Sequence, residues 1–194
     1  ISGGDADDFE LNSSSGELTF NTNKTPDYET KSSYTFSATV TDGGGLTDTE
    51  TITVNINDLN DNLPTITSGA TFTADENQFE VGTANVQDVD VVATDADTDT
   101  LTYSMTSDSY FDEDGIQTKV QIGTNGRLYF TAKPDYEAKT SYSGTVTVSD
   151  GTNSVTQDIT VAINNLNDNA PVLNIGNSYA DENQTSIGTA SATD

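Results

Sequence analysis

A chain of 194 residues with no cysteine, histidine or tryptophan, six basic side chains and 32 acidic ones carries a net charge of −26. That composition excludes disulfide stapling, thiol or imidazole catalysis and soft transition-metal sites, and it disfavours nucleic acid and anionic membranes as partners. Hard, oxygen-ligated cations are the natural counter-charge.

In chain order, the first marked segment is Pro26-Asp27-Tyr28-Glu29. Tyr34, Phe36, Ala38 and Val40 then alternate with Ser33, Thr35, Ser37 and Thr39, which predicts a strand with one core face and one wet face. Gly43-Gly44-Gly45 marks a turn, and Ile52, Val54 and Ile56, alternating with Thr51, Thr53 and Asn55, predict the next strand. A short polar connector follows, Asp58-Leu59-Asn60-Asp61-Asn62-Leu63-Pro64, then Ala74-Asp75-Glu76-Asn77 and the acidic pair Asp95-Ala96-Asp97. Pro134-Asp135-Tyr136-Glu137 repeats the first segment, and Tyr142, Gly144, Val146 and Val148, with Ile159, Val161 and Ile163, repeat the two strands. Asn165-Leu166-Asn167-Asp168-Asn169-Ala170-Pro171 repeats the connector, and Ala180-Asp181-Glu182-Asn183 repeats the segment at 74.

These recurrences (26 to 134, 64 to 171, 74 to 180) define a unit of about a hundred residues, one small domain. Short alternating strands between Gly, Asn, Asp and Ser turns, with no helical periodicity, predict an all-β chain: a tandem Greek-key β-sandwich of about seven strands per repeat. The divisions expected are 1–63, a repeat lacking its first strands; 64–170, a complete repeat; and 171–194, the first strands of a third. The chain starts at Ile1 without a signal peptide and has no apolar run long enough to span a membrane, so it reads as a fragment of a longer protein. Unpaired strands at both ends lead to the expectation of a dimer in which the tail of one copy completes the truncated first repeat of another.

Calcium takes about six to eight oxygen ligands, mixing carboxylates with amide and backbone carbonyls. The repeated motifs offer that mixture: acids at i and i+2 in Asp-Tyr-Glu and Asp-Ala-Asp, and Asn-Asp-Asn in connectors stiffened by proline. Isolated, each is explained by turn chemistry; repeated in order, they resemble the cadherin family, whose tandem repeats hold calcium at each domain junction. The likeness covers nearly the whole chain and places the fold among cadherin/immunoglobulin-like sandwiches. It implies a first junction built from Asp27 and Glu29, then Asp58, Asn60, Asp61 and Asn62, then Asp95, Asp97 and Asp150. The ion held by Asn60, Asn62, Asp95, Asp97 and Asp150 should be intact, whereas the family's base glutamate is absent from unit one. It implies a second junction from Glu76, Asp135, Glu137, Asn167, Asp168, Asn169 and Asp194, where Asn165 replaces the connector's first aspartate. Asp42 and Glu182 match positions of junctions outside the chain and are expected to bind nothing.

Two other calcium templates fail. Asp95, Asp97 and Asp99 begin like an EF-hand loop, but Thr100 stands where glycine is needed and Thr106 where glutamate is needed. The glycine cluster lacks the nonapeptide recurrence of a calcium-binding β-helix. The loop at Asp108, Asp112, Glu113 and Asp114 is expected to be only a loop.

The resulting expectation is a non-enzymatic, calcium-rigidified cadherin-like module of a surface or secreted adhesin, extracellular and of bacterial type. Its partners would be calcium and another copy of itself, a cell-surface protein or a polysaccharide. Without tryptophan, the tryptophan-anchored strand exchange of animal cadherins cannot operate. The alternative is a calcium-dependent carbohydrate-binding module, with Tyr103, Tyr110, Tyr129 and Tyr179 as candidate sugar platforms. Paired-carboxylate glycoside hydrolysis lacks any acid in an apolar pocket.

Overall fold

The computed structural model describes residues 1–82, 89–174, 180–183, 185 and 189–193. After a short 3₁₀ turn at Ala6–Asp8 come β1 (Phe9–Leu11), β2 (Leu18–Phe20), β3 (Ser33–Thr41) and β4 (Thr47–Asn55). A second group follows: β5 (Thr65–Ile66), β6 (Thr71–Asp75), β7 (Ala93–Thr94), β8 (Thr102–Ser107), β9 (Ser109–Phe111), β10 (Gln117–Ile122), β11 (Leu128–Phe130), β12 (Ser141–Ser149) and β13 (Ser154–Asn164). The last strands are β14 (Val172–Asn174) and β15 (Ser191–Thr193).

The second group is a β-sandwich. One sheet has the order β6-β13-β12-β8, with β6 parallel to β13 and the other pairs antiparallel. The strands β11-β10-β9 and β5-β7 form the opposing layer. β5 and β6 are two halves of one run that changes sheets, as are β8 and β9 on either side of Asp108, so among the described residues the nine segments amount to seven runs of chain. Val146, Val148, Ile159, Val161 and Ile163 face inward from β12 and β13, with Tyr142 packed edge-on against Phe130 at 5.4 Å between ring centres. The β-branched residues sit on a pleated, covered face, which is where they are favoured. Gly144 takes no part in that packing: a Cβ there would lie 2.4 Å from the Thr106 carbonyl oxygen, so glycine is what lets β8 approach β12.

The first group repeats the central hairpin with less around it. β3 and β4 pair from Ser33↔Asn55 to Thr41↔Thr47 as a sheet of two strands, and β1 pairs with β2. Its core is an aromatic cluster: Phe9 stands 4.8 Å from Phe36 and 5.6 Å from Tyr34, between ring centres. The predicted inward face of β3 holds for Tyr34 and Phe36 and fails toward its far end, where Val40 is 66% exposed. In the tail, β14 pairs with β15 in the same chain, Leu173 opposite Ala192, as β5 pairs with β7, Ile66 opposite Ala93.

A clamp is repeated in both groups. Lys31 pairs with Asp5 while its ammonium sits 4.5 Å from the centre of the Tyr34 ring; Lys139 pairs with Asp108 at 2.8 Å and lies 5.2 Å from the Tyr142 ring. The Asp5 carboxylate accepts a hydrogen bond from Thr35 N–H, and Asp108 accepts one from Ser143 N–H. In a chain with six basic residues, two are used to fasten the segment after Asp-Tyr-Glu to the sandwich.

Candidate metal centre at the domain junctions

The Asp-Tyr-Glu motifs form turns, so the alternation of a strand does not apply to them. The Lys31 N–H donates to the Asp27 carbonyl at 2.9 Å, and Lys139 N–H donates to that of Asp135 at 3.0 Å. Within these turns the two acids take different partners. Asp27 accepts hydrogen bonds from the backbone N–H and the hydroxyl of Thr30, both at 3.0 Å, and these bonds hold its carboxyl below the usual range. Asp135 likewise accepts from Glu137 N–H and Ala138 N–H. The glutamates reach the junctions.

At the first junction, Glu29, Asp58 and Asp97 bring carboxylate oxygens within 4.8 Å of one another, joining the first turn, the connector and the second sandwich. Glu29's own N–H lowers its pKa, but burial and the charges of Asp97 and Asp58 outweigh it and leave Glu29 above the ordinary range. Asp97, only 6% exposed, is held below that range chiefly by the Asn62 amide, which donates to it at 2.7 Å, with Asn62 N–H at 2.8 Å.

A second set shares Asp97. Asp95, Asp97 and Asp99 also place oxygens within 4.8 Å of one another. Asp95 Oδ1 accepts the Asp97 N–H at 3.0 Å, while its Oδ2 is buried with no hydrogen-bond partner. Asp150, 7% exposed, is arranged the same way: Oδ1 accepts from Thr152 N–H at 2.7 Å and Asn153 N–H at 2.6 Å, and Oδ2 is buried without a partner. Burial pushes Asp150 up, but the N–H groups of Asn153 and Thr152 overcome it and leave it below the ordinary range. Thr98, between two of these acids, has φ +62, a left-handed conformation that is an outlier for a β-branched residue and costs about 1–3 kcal/mol.

The connector is fastened to this set. Asn60 donates its amide to the Asp150 carbonyl at 3.3 Å, and Asn153 donates to both Asn60 Oδ1 and the Asn62 carbonyl at 3.3 Å. Asn153 was invisible in the sequence because it belongs to neither repeated motif, and the matching loop after Asp42 carries glycines. Asp61 N–H donates to the Leu59 carbonyl at 2.9 Å, the Asp61 side chain is exposed, and its Oδ1 accepts the neighbouring Asn62 amide at 3.2 Å.

At the second junction, Glu76, Glu137 and Asp168 bring oxygens within 4.8 Å of one another. Glu76 is 2% exposed, and its two oxygens accept Tyr136 N–H at 2.8 Å and Leu166 N–H at 2.7 Å, tying strand β6 to the turn and the connector. Each carboxylate oxygen thus accepts one backbone bond and keeps a lone pair free. Asn165 donates to Glu137 at 3.3 Å; Asn77, also in a left-handed conformation (φ +68), donates to Asp168, as does Asn169 at 3.1 Å. Asn167 is exposed beside them. Asp194 lies outside the described residues, as does Tyr179. Of the other tyrosines weighed as sugar platforms, Tyr103 and Tyr110 pack against the core, and Tyr129 is partly exposed.

No family profile matches the chain. It is 30% identical over 172 residues to the Protocadherin-like wing polarity protein stan of Drosophila melanogaster, which covers 84% of this chain and 5% of that protein. It is 33% identical over 154 residues to Protein dachsous of the same organism, covering 78% of the chain and 4% of the relative, so the chain spans only a small part of the curated relatives it matches. Among solved structures, human CDH23 EC21-23 superposes with a TM-score of 0.71 at 23% identity, over 97% of this chain and 62% of that one. Protocadherin gammaB7 EC3-6, in a cis-dimer structure, gives 0.66 at 26% identity, over 86% and 40%. The sandwich, its junction motifs and these likenesses agree: the chain is made of cadherin-like repeats.

Proposed function

We propose that the chain is a non-enzymatic, extracellular adhesion module in which calcium bound at the junctions stiffens the array of repeats. The observation that carries this reading is the pair of buried oxygens, Asp95 Oδ2 and Asp150 Oδ2, that have no hydrogen-bond partner. A buried carboxylate oxygen left unpaired is costly, and a hard cation satisfies several such oxygens at once. The donor set fits calcium: Asp95, Asp97 and Asp150 supply carboxylates, and the Asn60 and Asn62 side chains stand beside them. Glu29, Asp58 and Asp97 form an adjoining group, and Glu76, Glu137 and Asp168 its counterpart at the second junction.

The physical consequence is rigidity. The Glu29, Asp58 and Asp97 group joins a turn of one repeat, a connector and the following sandwich, so a cation bound there opposes bending and offsets carboxylate repulsion. A ligand at about a hundred times its dissociation constant adds roughly 2.7 kcal/mol per site, a large share of a small domain's stability. Partners of the rod would be another copy, a cell-surface protein or a polysaccharide.

Heat unfolding of chelator-stripped protein tests the reading. Millimolar calcium should raise the midpoint well above the effect of magnesium or of sodium at matched ionic strength, and Asp97→Ala should remove most of the rise. Equal responses to all three salts would leave only general charge screening and defeat the proposal.

A further inference from the structure

Asp99 has no place in the ligand sets that the repeated motifs supply, yet it is part of the first junction. Its carboxylate lies within 4.8 Å of those of Asp95 and Asp97, brought there through the left-handed Thr98. Burial, and after it the charges of Asp95, Asp97, Asp150 and Asp58, act on it. Beside this group, Asp150 is more than nine-tenths buried and keeps one oxygen without a hydrogen-bond partner, and Asp95 within it also keeps one such oxygen. The free oxygens of Asp95 and Asp150 belong to the ion site described above; Asp99 adds a further carboxylate with no hydrogen bond among the described residues to explain it, whereas Asp97 and Asp150 each accept bonds from the backbone.

Resting on the calcium reading of this junction, we infer that Asp99 is a further ligand of the ion bound by Asp95, Asp97 and Asp150, directly or through one water. The ion then faces four carboxylates, and the site is tuned by charge count toward tight binding and toward cations of high charge. Affinity at oxygen sites depends on the number of charged ligands and on rigidity, so removing one charge while keeping the shape is the informative change.

Asp99→Asn isolates it, with Asp48→Asn on the exposed strand β4 as the control for net charge. Both variants and the parent would be titrated with calcium and with terbium by calorimetry and luminescence, and unfolded by heat without metal. For Asp99→Asn we expect an unchanged number of sites, one of them weakened by roughly tenfold or more, with terbium hurt more than calcium. We also expect a higher midpoint in the metal-free state, since a repelling charge is gone, and a smaller rise on adding calcium. Asp48→Asn should leave the affinities as they are. A parent that binds no calcium would overturn the junction reading itself. A parent that binds, with Asp99→Asn binding equally well, would overturn the role of Asp99 alone. A metal-free Asp99→Asn less stable than the parent would mark Asp99 as a structural residue and overturn the ligand role.

Discussion

The hairpins β3–β4 and β12–β13 carry the same pattern about a hundred residues apart and end in different states. Val148 is fully buried while its counterpart Val40 is 66% exposed; Ile159, Val161 and Ile163 are buried while Ile52, Val54 and Ile56 are half-buried. β12–β13 is flanked by β8 and β6 and faced by a second layer, and β3–β4, among the described residues, is a sheet of two strands. Alternation therefore decides which way a side chain points, and neighbouring strands decide whether that direction is a core. Where the second layer is thin, the first repeat uses aromatic area: Phe36 stands at the position of Gly144 and joins Phe9, Phe20 and Tyr34.

The sharpest way to break this comparison is a matched pair of core deletions. Ile159→Ala should cost about 2–5 kcal/mol in urea unfolding, and Ile52→Ala distinctly less, because its site is already open to water. Equal losses would mean that the two hairpins are equally covered in solution. Next in size, Gly144→Ala should destabilise the second repeat by about 1–3 kcal/mol, since the added carbon meets a backbone oxygen of β8 that cannot turn aside. Trimming Phe36 to alanine at the matching position should also destabilise, by emptying an aromatic cluster instead of overfilling a strand contact.

Two titrations sharpen it further. Burial, helped by the charges of Asp108 and Asp135, pushes the Tyr142 hydroxyl up from 10.0 to about 12. Its folded value lies above its unfolded one, so its contribution is complete below pH 10 and is lost between pH 10 and about 12. Alkaline unfolding of the second repeat, followed by tyrosinate absorbance, should fall in that window, and Tyr142→Phe should delay it. The smallest effect belongs to the clamp of the first repeat. The Lys31 ammonium, then Thr35 N–H, hold Asp5 below the usual carboxylate range, so its contribution is present at neutral pH and lost as acid titrates it. Asp5→Asn should lower the unfolding midpoint slightly at pH 7, with the difference vanishing in strong acid.

Much of this was legible beforehand, for definite reasons. Strand faces at Tyr142 to Val148 and Ile159 to Ile163 follow from a period of two, which needs only local sequence. Glu29 and the connector stood out through repetition and Asp95 and Asp97 through their i, i+2 spacing, although the bonds that Asp27 takes from Thr30 did not, because the motif is a turn and not a strand. Asn153, the Lys31 and Lys139 clamps and the place of Asp99 depend on contacts between distant segments. Yet Lys31 and Lys139 occupy the same position after Asp-Tyr-Glu, before the same Ser-Tyr pair, and this recurrence was available in the sequence as a signal.

The most direct measurement is a crystal structure of the chain grown in millimolar calcium, with anomalous scattering used to place the metal. The account predicts an ion at the first junction in contact with Asp95, Asp97 and Asp150, their free oxygens now coordinated, with the Asn60 and Asn62 side chains alongside. A junction that stays free of metal at that concentration, with Asp95 Oδ2 and Asp150 Oδ2 still buried and unpaired, would contradict it.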